Sequence, residues 1–96
     1  MNTYLVGQVA PITLPGFKSA DEAAEPTEPR DIRVVFTERD GKHRRSISKS
    51  SLVSNGVPGQ YRVDFKVPAP GWWTVDVTTS DDVRPTAYRD EFYARP

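Results

Sequence analysis

The feature that most constrains the fold of this chain is a period-two alternation of apolar and polar residues in two neighbouring segments. Residues 61–67 alternate apolar with charged side chains, and residues 73–78 repeat the alternation after a turn at Pro70-Gly71. Successive side chains of a β-strand point to opposite faces of its sheet, so each segment is predicted to be a strand. The intervening turn predicts that the two strands form a β-hairpin with one buried and one wet face.

Turn signals at short intervals divide the rest of the chain into further candidate strands. These strands are predicted at residues 4–6, 9–14, 32–37, 43–48, 51–53 and 86–94. The Asp40-Gly41 pair predicts a hairpin between residues 32–37 and 43–48. In the last strand, we expect the register that turns Phe92 inward. About seven short antiparallel strands joined by polar turns predict an all-β fold, specifically an immunoglobulin-like β-sandwich.

Two of these strands carry residues typical of sheet edges. Pro11 lacks a backbone N–H, so the strand at residues 9–14 is expected at an edge or with an unpaired position. The strand at residues 43–48 contains Arg44 and Arg45 and is followed by Lys49, and exposed basic side chains commonly protect an edge strand from unwanted pairing.

The chain is expected to form a single domain spanning residues 1–96, with a polar insertion at about residues 15–30. Phe17 is the only large apolar residue of that insertion. We expect the segment to be exposed and mobile, either as a long loop or with a weak helical turn around Asp21 to Glu25.

The composition argues against several classes of function. The 96 residues include no cysteine and one histidine, and 13 basic residues balance 13 acidic ones. Balanced charge argues against nucleic-acid binding, which favours a basic domain. No segment reaches the roughly 20 apolar residues of a membrane-spanning helix, so we expect an unsecreted protein without a membrane contact. His43 lies in a basic run without a nucleophile motif, and Asp81-Asp82 reads as a polar turn. We therefore expect no enzymatic activity, no cofactor and no metal.

The order of motifs along nearly the whole chain resembles that of small immunoglobulin-like structural proteins of tailed bacteriophages, particularly those that infect actinobacteria. The residues that carry the resemblance are Tyr4, Val6, Gly7, Asp40, Gly41, Gly59, Tyr61, Phe65, Pro70, Gly71, Trp73, Val75, Glu91 and Phe92. The resemblance implies a virion protein made in the host cytoplasm. Its role would be capsid decoration or support of the head-to-tail junction. The implied partners are the major capsid protein or portal and neck proteins, with a homo-oligomer in the particle as a further option.

Candidate contact residues fall into an aromatic and a charged set. If Trp73 points inward, alternation places Trp72 outside, where it is either an interface anchor or a cover for the end of the core. Tyr93, on the outward face of the last strand, would extend the same surface. The charged set pairs a basic run with an acidic segment, either as docking surfaces between copies or partners or as ordinary solvated surface. Its members are Lys42, Arg44, Arg45, Asp21, Glu22 and Glu25.

Two other functions remain open from the sequence. An immunoglobulin-like adhesion or carbohydrate-binding module would attach to a cell surface and would carry exposed aromatic residues at one end. A regulatory protein that contacts the host would act free and monomeric in the infected cell.

Overall fold

The computed structural model describes residues 2–21 and 25–96, which form an all-β fold with mixed sheets and no α-helix. The strands are β1 (Asn2–Leu5), β2 (Val9–Thr13), β3 (Lys18–Ser19), β4 (Ile32–Glu38), β5 (Arg44–Ser48), β6 (Val53–Ser54), β7 (Tyr61–Lys66), β8 (Gly71–Thr79), β9 (Val83–Arg84) and β10 (Ala87–Arg95). A 3-10 turn, Lys49–Ser51, separates β5 from β6.

These strands build one large sheet, one smaller sheet and one short ribbon. The order of the five-stranded sheet is β1-β10-β8-β4-β5, the three-stranded sheet is β2-β7-β6, and β3 pairs with β9. β1 runs parallel to β10, with Asn2 beside Phe92 and Leu5 beside Arg95. The expectation of wholly antiparallel pairing is therefore wrong at this one position. The extra strands beyond the expected seven include two-residue segments that are too short to show a period.

The predicted hairpin between residues 61–67 and 73–78 is wrong, although both segments are strands. β7 pairs with β2 and β6, whereas β8 pairs with β10 and β4. The Pro70-Gly71 turn therefore carries the chain from one sheet to the other. Alternation fixes which side of a strand is buried but does not name the strand beside it.

The hairpin predicted at Asp40-Gly41 is confirmed, because β4 and β5 pair antiparallel with Thr37 opposite Arg44. The edge predictions are confirmed as well. β5 ends the five-stranded sheet and β2 ends the three-stranded sheet, so each pairs on one side only.

Both larger sheets contribute to one hydrophobic core, an arrangement compatible with a β-sandwich. Phe36 of β4 stacks on Phe65 of β7 with 3.9 Å between ring centroids. Trp73 and Phe92 also contact Phe65 edge-on, at 5.4 Å and 6.4 Å. The inward register of Phe92 is confirmed, since Phe92 and Ala94 are both buried while Tyr93 between them is only partly buried.

The insertion at residues 15–30 is attached to the core, so the expectation of an exposed segment is wrong for Phe17 and Pro29. Phe17 is 1% exposed, and Pro29 is also fully buried. The backbone N–H of Phe17 donates to Gly59 O at 3.1 Å, and Thr27 N–H donates to Phe17 O at 3.0 Å. A lone aromatic in a polar stretch thus acts as an anchor. The helical turn expected around Asp21 to Glu25 falls largely on residues 22–24, outside the described residues.

Candidate interaction surfaces

Trp72 and Tyr93 lie side by side on the outer face of the five-stranded sheet. They are opposite each other in the β8–β10 register, and their rings meet edge-on with 5.2 Å between centroids. Trp73, Val75 and Val77 fill the inner face of β8, so alternation turns Trp72 away from the core. The structure thus places Trp72 outside the core, in contact with Tyr93. Its role as an interface anchor stays a prediction.

An arginine lies over the Trp72 ring of this aromatic pair. The guanidinium carbon of Arg39 lies 5.3 Å from the centroid of the Trp72 ring, a cation–π geometry. Its Nη2 also lies 3.8 Å from Glu91 Oε2, and the backbone N–H of Arg39 donates to Trp72 O at 2.9 Å. We call Trp72, Tyr93, Arg39 and Glu91 the aromatic patch. Sequence reasoning did not identify Arg39, because only the β4–β8 register brings it to the tryptophan.

Farther along the same outer face, an arginine and an aspartate of neighbouring strands form an ion pair. Arg89 Nε of β10 donates to Asp76 Oδ1 of β8 at 2.6 Å. This hydrogen bond, helped by the negative charge of Asp76, raises the pKa of Arg89 above its usual value. On this side, the aromatic patch is therefore bordered by two charged side chains that are paired with each other.

A second surface lies where the free edge of β5 faces the end of β7. A pocket of about 210 Å³ opens there between the two sheets. It is lined by His43, Arg44, Arg45, Phe65, Lys66, Pro68 and Trp73, which we call the basic groove. Two of the predicted basic residues therefore reach one pocket, while Lys42 remains exposed in the adjoining turn. Lys66 was missed because it belongs to a different segment of the sequence.

A buried carboxylate lies next to the basic groove. Glu38 is 6% exposed, and its Oε2 lies 2.7 Å from His43 Nδ1. Glu38 is the last residue of β4 and continues the inward alternation of that strand. The contact fixes the orientation of the imidazole, whose ring centroid lies 6.3 Å from that of Trp73.

The acidic residues lie at the other end of β8. Asp21 and Glu25 are exposed, and the backbone of Ala20 donates to Asp82 O at 3.1 Å. Glu22 lies outside the described residues. A hydrogen bond from the Ser80 hydroxyl is the chief cause of the lowered pKa of Asp82. Among the described residues, neither Asp21 nor Glu25 forms an ion pair with the predicted basic set, and docking between copies stays a prediction.

Residues 2–21 and 25–96 contain no group of three or more histidine, cysteine, aspartate or glutamate side chains arranged to hold a metal ion. None of the helical structure in this part of the chain has the length and apolar character needed to span a membrane.

Comparison with known proteins gave no match: no family model fits this chain, and no curated protein or solved structure is significantly similar to it.

Proposed function

We propose that this chain is an immunoglobulin-like domain that serves as a non-enzymatic structural protein of a tailed-phage particle. It would bind the capsid shell or the head-to-tail junction through protein–protein contacts. The observation that carries this proposal is the aromatic patch on the outer face of the five-stranded sheet, since Trp, Tyr and Arg are the residues most enriched among binding hot spots.

The strand order supports the immunoglobulin-like assignment. If β2, β4, β5, β6, β7, β8 and β10 are taken as strands B, C, C′, D, E, F and G, the larger sheet has the order G-F-C-C′ and the smaller sheet has B-E-D. Variable-type immunoglobulin domains distribute these strands between their two sheets in the same way. The crossing from β7 to β8 then corresponds to the connection between strands E and F.

The geometry of the patch suits a docking role. Tyr93 contacts the Trp72 ring edge-on and the Arg39 guanidinium lies over it. Because these contacts already restrict the tryptophan side chain, it loses little conformational entropy on binding. Arg39 and Glu91 keep more than half of their side-chain surface in water and supply a polar rim beside the rings. An aromatic centre with a charged border is the usual composition of a protein interface.

The assignment to a phage particle draws on the sequence resemblance. Several residues that carry it, including Phe65, Trp73 and Phe92, form the core. They support the fold, while the aromatic patch supports the docking mode. A capsid protein or a portal and neck protein is the corresponding partner.

Quantitative mass spectrometry of purified particles tests the location. For a decoration protein, we expect a copy number per particle that matches the capsid symmetry. For a neck protein, we expect the copy number of a single ring. Absence from particles, or recovery only on cell-surface glycans, would reject the virion proposal and favour the adhesion module.

Site-directed variants test the docking surface on the same particles. Trp72→Ala should weaken binding about 30-fold, the loss typical of an interface hot spot. Tyr88→Ala is the matched control, since Tyr88 is an exposed aromatic of β10 outside the patch, and it should bind as the wild type does. Equal binding by Trp72→Ala and the wild type, with both folded, would remove the patch from the interface.

A further inference from the structure

The two arginines and the lysine of the basic groove form no ion pair with an acidic side chain in the described chain. Arg30, Arg39, Arg62 and Arg89 all form ion pairs, with N···O distances between 2.6 and 3.8 Å. Within residues 2–21 and 25–96, no carboxylate oxygen lies within 4.0 Å of a charged nitrogen of Arg44, Arg45 or Lys66. Three positive side chains thus gather around one pocket without a direct ion-pair partner, since the nearby Glu38 carboxylate contacts His43 instead.

The pocket adjoins an unpaired strand edge. The N–H of Glu38 donates to His43 O at 2.9 Å, which makes these two residues a hydrogen-bonded pair of the β4–β5 ladder. Such pairs alternate along antiparallel strands, so Arg44, Ser46 and Ser48 direct their backbone N–H and C=O groups away from β4. No strand of the described residues pairs with β5 on that side. The edge therefore offers main-chain donors and acceptors next to the cations.

We propose that the basic groove and the free edge of β5 together bind an extended acidic segment of a partner protein, which adds a strand beside β5. The inference rests on the proposed docking function and names the chemistry of the partner. Carboxylates on one face of the added strand would reach Arg45 and Lys66, and those on the other face would reach Arg44. This is strand addition with charged side chains setting the register.

The strand edge decides among the possible occupants. A phosphate or a nucleic-acid backbone would satisfy the cations but carries no alternating amide N–H and C=O groups to complement β5. A second copy paired through its own β5 would bring two sets of Arg44, Arg45 and Lys42 together, and repulsion between like charges opposes that dimer. An acidic polypeptide satisfies both the edge and the charges.

The walls of the groove strengthen this binding. Trp73, Phe65 and Pro68 supply apolar surface beside the cations. Apolar walls lower the local dielectric, so an ion pair formed there is stronger than one on an open surface. The contact between Glu38 and His43 orients the imidazole at the rim of the groove.

Calorimetric titration of the purified protein with a blocked peptide of Glu-Glu-Thr repeats, which carries carboxylates on both faces of an extended strand, tests the proposal. We expect saturable binding, with amide shifts and protection from hydrogen exchange at Arg44, Ser46 and Ser48. The double variant Arg45→Glu with Lys66→Glu should weaken the peptide Kd by at least about tenfold. The matched control, Lys18→Glu with Arg95→Glu, reverses the same two charge types at exposed positions outside the groove and should change Kd less than about twofold.

Two competing ligands and a measurement without ligand complete the test. A peptide with the same side chains but methylated amide nitrogens should lose at least about tenfold in affinity, because it cannot donate to the edge. Equal binding of that peptide, or equally tight binding of inorganic phosphate, would overturn strand addition. Dimerisation of the unliganded protein through β5, detected by sedimentation, would overturn the choice of occupant.

The result is separable from the proposed function. If the peptide fails to bind while particle binding still depends on Trp72, only the acidic-segment inference falls. If the peptide binds but the chain is absent from particles, only the virion proposal falls.

Discussion

The neighbouring tryptophans should respond very differently to replacement by alanine. Trp73 is the largest fully buried side chain in the described chain, at 1% exposure. Its ring is parallel to that of Phe92, with 6.3 Å between centroids, and meets Phe65 edge-on at 5.4 Å. Its indole N–H donates to Ala69 O at 3.0 Å. Trp72 has its contacts on the outer face of the sheet instead.

The magnitude for Trp73→Ala follows from these contacts. Removing a buried aromatic side chain costs about 3–5 kcal/mol, and leaving Ala69 O without its donor adds about 1 kcal/mol. A domain of this length has a total stability of about 5–14 kcal/mol, so the variant is near the limit of folding. Trp72→Ala loses an edge-on aromatic contact and an exposed cation–π contact, together about 1–2 kcal/mol.

Urea unfolding followed by far-ultraviolet circular dichroism measures both variants, since each substitution removes a tryptophan that fluorescence would report. Trp73→Phe serves as a second variant that keeps part of the buried ring, and it should lie between the wild type and Trp73→Ala. A loss below about 2 kcal/mol for Trp73→Ala, or equal losses at Trp72 and Trp73, would refute the assignment of Trp73 to the core.

Two further predictions concern the backbone and acid stability. Gly59 and Gly56 both have positive φ, at 78° and 92°, but a Cβ at Gly59 would collide with Thr27 O, whereas one at Gly56 meets open space. Gly56→Ala should cost about 1–2 kcal/mol in urea unfolding and Gly59→Ala clearly more; equal costs would contradict the close approach. The folded-state pKa of Asp82 is held below 3.8, chiefly by Ser80, so Asp82 adds stability above the unfolded pKa that is lost as pH falls through the folded pKa. The advantage of the wild type over Asp82→Asn in unfolding free energy should therefore shrink below pH 3.8; a pH-independent difference would contradict this assignment.

Alternation predicted the strands well where one face of a segment is apolar and the other is polar. The segments around Tyr61 and Trp73 are strands with the expected residues buried, and Asp40-Gly41 joins β4 to β5 as expected. The partners of the strands were harder to predict. A proline and a glycine at Pro70-Gly71 specify a turn of the chain but not whether the next strand returns to the same sheet.

The candidate site was only partly predictable, because its components come from distant segments. Trp72 and Tyr93 could be assigned to outward positions from alternation, yet their contact depends on the β8–β10 register. Lys66 lines the basic groove because β7 belongs to the smaller sheet, whose end lies next to β5. Glu38 could have been expected to face inward by extending the pattern of β4, but an acidic residue at a strand end usually lies in water.

The parallel pairing of β1 with β10 has a mechanical consequence. Tension applied before Asn2 and after Arg95 pulls these adjacent strands in opposite directions along their common axis. Their evenly spaced hydrogen bonds are then loaded together in shear instead of opening one after another as in a zipper. The sheet is thus expected to resist stretching along the β1 and β10 strands more strongly than peeling across them.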